Sequence, residues 1–166
     1  MQRIVKSAAM AAIAGSLLVA GVALATPGSG IIGDPVIGGR GAFPGGVVID
    51  VTVTAADGTS GAASVSSGDV VVARNIVSPG GSTGWHSHPG PTIATVVSGT
   101  LTLFDADDPT CTGHDYTAGQ VFVELPGDPH LARNLSETEG AQIYTTFLGV
   151  PTGESPRTDE ADPGNC

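Results

Sequence analysis

Two stretches decide the reading of this chain: Pro79 to Gly99, PGGSTGWHSHPGPTIATVVSG, and Gly119 to Asn134, GQVFVELPGDPHLARN. In both, short β-branched and aromatic runs are bounded by Gly, Pro and Asp, the pattern of brief strands between tight turns. His86 and His88 are separated by one residue, and side chains alternate faces along a strand, so both imidazoles project to one side. Two neighbouring imidazoles make half of a metal site. His130 follows Pro126-Gly127-Asp128-Pro129, a turn that starts a new strand and can bring a third nitrogen to that face. Trp85, the sole Trp, precedes His86 and should point to the opposite face as packing.

Outward from these stretches the same texture continues. From Val47 onward, runs of five to eight β-branched residues alternate with Gly, Pro, Asn and Asp, and no stretch of ten shows helical spacing. Strands are expected over 47–54, 62–66, 70–77, 84–88, 92–97, 100–104, 114–117, 120–125, 130–134 and 141–148. So many short strands in one domain mean an all-β sandwich, jelly roll or barrel. Ser98-Gly99 reads as a tight hairpin turn, as does Ala118-Gly119. Thr26 to Gly46, rich in Gly and Pro and without periodicity, reads as a flexible lead-in with room for one short pairing strand. Pro151 to Cys166 reads as an acidic solvated tail held at its end.

The 166 residues suit one domain, with 40% hydrophobic residues for a core. Six basic residues against sixteen acidic ones, with no basic run, leave nothing to neutralise phosphates. Nucleic acid and an anionic membrane surface are therefore poor partners. At the N-terminus, Arg3 and Lys6 precede an uncharged stretch from Ser7 to Ala25 that ends Ala23-Leu24-Ala25. The stretch approaches the roughly 20 residues of a spanning helix, but its small-x-small end marks a secretory signal peptide cleaved after Ala25. Losing Arg3 and Lys6 takes the net charge from −10 to −12, and no stable membrane association is expected of the mature chain. Export implies an oxidising compartment, extracellular or periplasmic, where the only two cysteines, Cys111 and Cys166, read as a disulfide.

The histidine pattern resembles the cupin family. Its first motif, Gly, five residues, His-x-His, a Glu three or four residues on, and a later Gly, is met by Gly80, His86, His88 and Gly99, with Thr92 where the family has Glu. Its second, Gly, five residues, Pro-x-Gly, His and Asn, is met by Gly119, Gly127, His130 and Asn134, with Leu125 in place of Pro and Pro126 one position later. The chain thus looks like a small secreted single-domain cupin lacking the first-motif Glu. The resemblance implies a double-stranded β-helix barrel over about 47–150 and one divalent ion, Zn, Cu, Mn or Fe, held by His86, His88 and His130. Without the Glu, three neutral imidazoles would leave the ion's +2 uncompensated and favour anions. Thr92 could at most hydrogen-bond a metal-bound water.

The resemblance implies a small oxygen-rich or anionic ligand or substrate, in a monomer or homodimer. Three functions fit: a metalloenzyme that activates dioxygen or water, a non-catalytic extracellular binding module, or a structural or interaction protein that kept the fold after losing the Glu; fold alone does not choose. Arg74, Arg133 and Tyr144 are candidate orienting groups, and Glu124 and Asp128 lie near His130 in sequence. His114 reads as a surface residue. Asp105, Asp107 and Asp108 read as a solvated turn rather than a calcium loop, lacking a ring of spaced oxygen ligands. Asn134-Leu135-Ser136 matches a glycosylation acceptor, but Asn134 is taken by the second motif.

Overall fold

The computed structural model describes residues 24–32, 36–54 and 60–166; the expected signal peptide, apart from Leu24 and Ala25, lies outside the described residues. Its spine is one long strand, β5 (Asp69–Ser82), which follows β1 (Ser29–Ile31), β2 (Val36–Ala42), β3 (Ile49–Thr54) and β4 (Ser60–Val65). After it come β6 (His86–Ser87), β7 (Thr92–Ser98), β8 (Thr100–Asp105), β9 (His114–Thr117) and β10 (Val121–Glu124). The last three are β11 (His130–Arg133), β12 (Ala141–Val150) and β13 (Thr158–Asp159). Every pairing is antiparallel, in one curved sheet of order β10-β7-β12-β5-β11-β6-β13, with β1 and β2 added on β5 and with β8 joining β11 to β9. The β3-β4 hairpin stands as its own two-stranded sheet. The architecture is an all-β double-stranded β-helix barrel, and no helix among the described residues is long and apolar enough to cross a membrane.

The period of two that marks the strands also fills the barrel. On β5, Asp69, Val71 and Ala73 are buried while Val72 between them is exposed; on β7, Thr92, Ala94 and Val96 turn inward. Val77, Val96, Leu101, Leu103, Phe122 and Ile143 meet in the main core, and Val71, Ala73, Phe147 and Val150 form a second cluster. Each fully enclosed Val or Leu contributes about 1.5–3 kcal/mol relative to exposure. This apolar filling leaves one region of the interior to polar groups, and the histidines lie there.

Three sequence expectations are corrected. Ser98-Gly99 and Ala118-Gly119 are tight turns, with Gly99 and Gly119 at positive φ, but they do not make hairpins. β7 pairs with β10 and β12, β8 with β9 and β11, so each turn hands the chain to a different neighbour. The lead-in supplies two strands rather than at most one, because the edge of β5 gives backbone partners to Gly-rich segments with no alternation of their own. The tail is no solvated end either. β13 pairs with β6, and the amide of Glu160 donates to the Trp85 carbonyl. The Cys111–Cys166 disulfide is present, and Asn165 Nδ2 donates to the carbonyls of Ala106 and Asp108 beside it.

Candidate metal centre

His86 and His130 sit directly opposite each other on β6 and β11, and His88 follows at the end of β6. Ring centroids are 4.3 Å apart for His86 and His130, 4.9 Å for His86 and His88, and 5.0 Å for His88 and His130. One ring nitrogen from each lies within 4.8 Å of the others, and all three residues are buried. Their outer nitrogens are committed in one way. Nδ1 of His86 lies 2.9 Å from the Gly84 carbonyl, that of His88 2.7 Å from the Pro156 carbonyl, and that of His130 2.9 Å from the Asp128 carbonyl. A carbonyl oxygen only accepts, so Nδ1 carries the proton in each ring and Nε2 is left with its lone pair. Gly84 is required where it stands, at positive φ, because a Cβ there would run into the Thr26 carbonyl oxygen.

A carboxylate borders the cluster, and it is one the sequence reading left without a direction. Glu124 on β10 is buried, with Oε1 2.9 Å from His130 Nε2 and Oε2 3.2 Å from His88 Nε2. It is the cross-strand partner of Thr92 on β7. The carboxylate that the first motif lacks is thus supplied from the adjacent strand, opposite the vacated position. With this carboxylate against two of the histidines, a bound divalent ion would be left with +1 rather than +2. Thr92 itself is fully buried and donates its hydroxyl to the Gly90 carbonyl at 3.3 Å.

These contacts shift the titrations in opposite directions. Burial raises the Glu124 carboxyl, but the contacts with His130 and His88 outweigh it and hold it well below the usual carboxylate range. Burial lowers His130, and the Glu124 carboxylate outweighs that and raises it. His86 is pushed well below its ordinary value by burial first and by the charge of His130 next. Nε2 of His130 is a buried nitrogen with no hydrogen-bond partner among the described residues. Imidazole nitrogens facing carboxylate oxygens at 2.9–3.2 Å need positive charge between them, which a proton on Nε2 supplies in the free protein and a metal ion would supply when bound. The three imidazole nitrogens, with the Glu124 carboxylate beside two of them, fit a divalent metal ion.

His86, His88 and Glu124 line a cavity of about 580 Å³, while His130 borders a second one on the other side of Glu124. Phe122, Ile143 and Phe147 give it apolar walls, Asn75 on β5 and Thr145 on β12 give it polar ones, and Ser155, Pro156 and Arg157 of the C-terminal segment form its rim. Pro156 holds His88, and the neighbouring Ser87 hydroxyl donates to Glu160 Oε1 at 2.6 Å. The tail is therefore a wall of the site, a role that no spacing in the sequence announced.

The orienting groups expected from sequence do not line this cavity. Tyr144 is exposed, Arg74 is not among the lining residues, and the Arg133 guanidinium lies 5.5 Å from the centroid of the Phe104 ring. His114 is exposed on β9. Asp128 contributes its backbone carbonyl to His130, not its carboxylate. Both carboxylate oxygens of Asp108 are taken by its own turn, from Thr110 and Thr112. Asn134 is almost wholly enclosed, its Nδ2 within 3.1 Å of the carbonyls of Val77, Ser78 and Glu139, so it ties β5 to the 136–139 turn instead of meeting solvent.

Comparison with known proteins agrees with this architecture. The family described as "Cupin domain" matches residues 73–147, the span that contains all three histidines and Glu124. A search of the curated proteins finds no match. Among solved structures, the chain is similar to a conserved protein with a double-stranded β-helix domain from Klebsiella pneumoniae, at 22% identity and a TM-score of 0.45, over 55% of this chain and 75% of that one. It is also similar to a Cupin 2 conserved barrel domain protein from Salinispora arenicola, at 26% identity and a TM-score of 0.41, over 46% and 60% of the two chains. An RmlC-like cupin from Shewanella frigidimarina matches at 20% identity and a TM-score of 0.41, over 49% and 67%. Residues 73–147 are thus a cupin domain, and the three histidines converge inside it.

Proposed function

We propose that this protein is a secreted metal-binding cupin in which His86, His88, His130 and Glu124 hold one divalent ion, and in which the ion binds a small oxygen-rich or anionic molecule in the barrel cavity. The observation that carries the reading is the common commitment of the three Nδ1 atoms to backbone carbonyls at 2.7–2.9 Å. Such outer contacts fix tautomer and ring orientation and raise the basicity of the inner nitrogen. The metal, when bound, supplies Lewis acidity toward an oxygen of its ligand.

The chain's own residues do the rest. Phe122, Ile143 and Phe147 restrict water around the cluster, and Asn75 and Thr145 present neutral polar groups across the cavity. Glu124 lowers the site's charge, so a monoanion suffices to neutralise it. The disulfide and the leader from Met1 to Ala25 support an exported protein, and in that oxidising setting zinc, copper or manganese is easier to retain than reduced iron.

The test is elemental analysis of the protein recovered from the culture medium, whose mass should begin at Thr26. About one divalent ion per chain is expected, with a sharp loss in His86→Ala, His88→Ala and His130→Ala and none in His114→Ala. Absence of stoichiometric metal, together with a His86→Ala variant as stable as the parent in added zinc, copper or manganese, would end the metal reading. Oxygen uptake by the loaded protein then separates an oxygenase from a carrier.

A further inference from the structure

Arg157 is the lysine-or-arginine side chain that reaches the metal cavity, and it arrives from outside the matched domain, on the C-terminal segment. Its Nε donates to Asp159 Oδ1 at 2.6 Å, which fixes the plane of the guanidinium. Its Nη2 is buried and has no hydrogen-bond partner among the described residues. A buried donor without an acceptor is unfavourable, so its persistence at a cavity wall marks a place where something else accepts. It lines the same cavity as His86, His88 and Glu124.

We propose that Arg157 is the anion-recognising residue of this cavity and that the ligand is a small organic carboxylate, one end on the metal cluster and one on the guanidinium. The proposal rests on the metal reading above and gives it a ligand class. A guanidinium presents parallel N–H groups in a fork that matches the two oxygens of a carboxylate. Charge also selects. With Glu124 in place a loaded site would carry +1, and the +1 of Arg157 is offset by Asp159 at 2.6 Å, so the local surplus is one positive charge, which suits a small carboxylate and not a polyanion. Size agrees, because about 580 Å³ open to solvent takes a small molecule. The long-range field repels anions, so a carboxylate binds only where the metal and Arg157 act together.

The strap that carries Arg157 also explains how the group is presented. Thr158 and Asp159 pair with Ser87 and His86, so the arginine precedes two residues whose backbone is registered on the metal-site strand. Pro156, immediately before it, holds His88 through its carbonyl. Anion recognition and histidine orientation are thus built on one short segment.

The experiment uses the metal-loaded full chain with malonate as probe, calorimetric titration as the binding readout and elemental analysis run alongside. Wild type should bind malonate more tightly than inorganic phosphate. Arg157→Gln should keep its metal and bind malonate at least tenfold more weakly, and Arg157→Lys should recover part of the loss. Asp159→Asn tests the opposite direction: with its counter-charge removed, Arg157 should bind malonate more tightly. If Arg157→Gln and Asp159→Asn both bind malonate within twofold of wild type, or if phosphate binds more tightly than malonate, the proposal is overturned. If the protein contains no metal yet malonate binding still depends on Arg157, the metal reading fails and the assignment of Arg157 stands.

Discussion

Replacing Cys166 by Ser separates two things the C-terminal segment does. The Cys111–Cys166 bond closes a loop of 55 residues, and in the chain-entropy treatment the unfolded chain regains freedom worth about 4 kcal/mol when it is cut. The segment between Pro156 and Ala161, however, is attached by contacts of its own. These are the β13–β6 pairing, the Glu160 amide to Trp85, Ser87 to Glu160 Oε1, and His88 to Pro156. At about 1 kcal/mol net for each hydrogen bond, they hold the strap with several kcal/mol in the folded state.

The two magnitudes act on different equilibria, so Cys166→Ser should be less stable by about 4 kcal/mol in urea denaturation of metal-free protein. Its metal affinity, from competition with a chromogenic chelator at neutral pH, should stay within about threefold of wild type, the local hydrogen bonds being intact. A parallel fall in metal affinity of roughly 10–100-fold, the usual cost of losing an outer-shell partner, would mean that the disulfide and not the hydrogen bonds keeps Pro156 on His88. That result would refute the reasoning.

Glu124→Gln should weaken divalent-metal binding by about 10–100-fold while leaving the fold intact, read by the same chelator competition. Thr92→Glu alone should not tighten binding, because a second carboxylate would be forced into a fully buried position facing Glu124, whereas the swap Thr92→Glu with Glu124→Thr should recover much of the affinity lost in Glu124→Gln. Asp108, its carboxylate bonded first to the Thr110 hydroxyl and then to the amides of Thr110 and Thr112, should titrate at about 2 by NMR. Because its folded value lies below the ordinary 3.8, its stabilising effect is in force above that pH and is lost as pH falls toward 2. Titration at the ordinary value would show that the turn carrying Cys111 does not hold its carboxylate.

Much of the barrel was legible because its strands bury one face. The alternation along Asp69–Ala73 and Thr92–Val96, and the Gly and Pro between runs, placed the elements within a few residues. Pairing partners were less legible. A Ser-Gly turn reads as a hairpin when only its neighbours in sequence are considered, but β7 and β8 are each satisfied by strands distant in the chain. β1, β2 and β13 have no period to read; Gly-rich or two residues long, they are extended because an existing edge supplies their hydrogen bonds.

The histidines were found because their information is local: two on one strand at period two, one after a turn. Glu124 was not resolved because its information is not local. In an antiparallel pair the residues directly opposite each other share a face at close range, so a carboxylate can move from one strand to the next and still project into the same space. Thr92 and Glu124 are such a pair. Read along the chain, the Glu is missing and the site is too positive; read across the sheet, it is present with its oxygens 2.9 and 3.2 Å from two histidines. The same reasoning bears on Arg157. The group that reaches the cavity comes from a segment with no motif, placed there by β13 pairing with the strand that carries His86. A site built at a strand junction is defined by which backbones are neighbours, and side chains that complete it can enter from any of them.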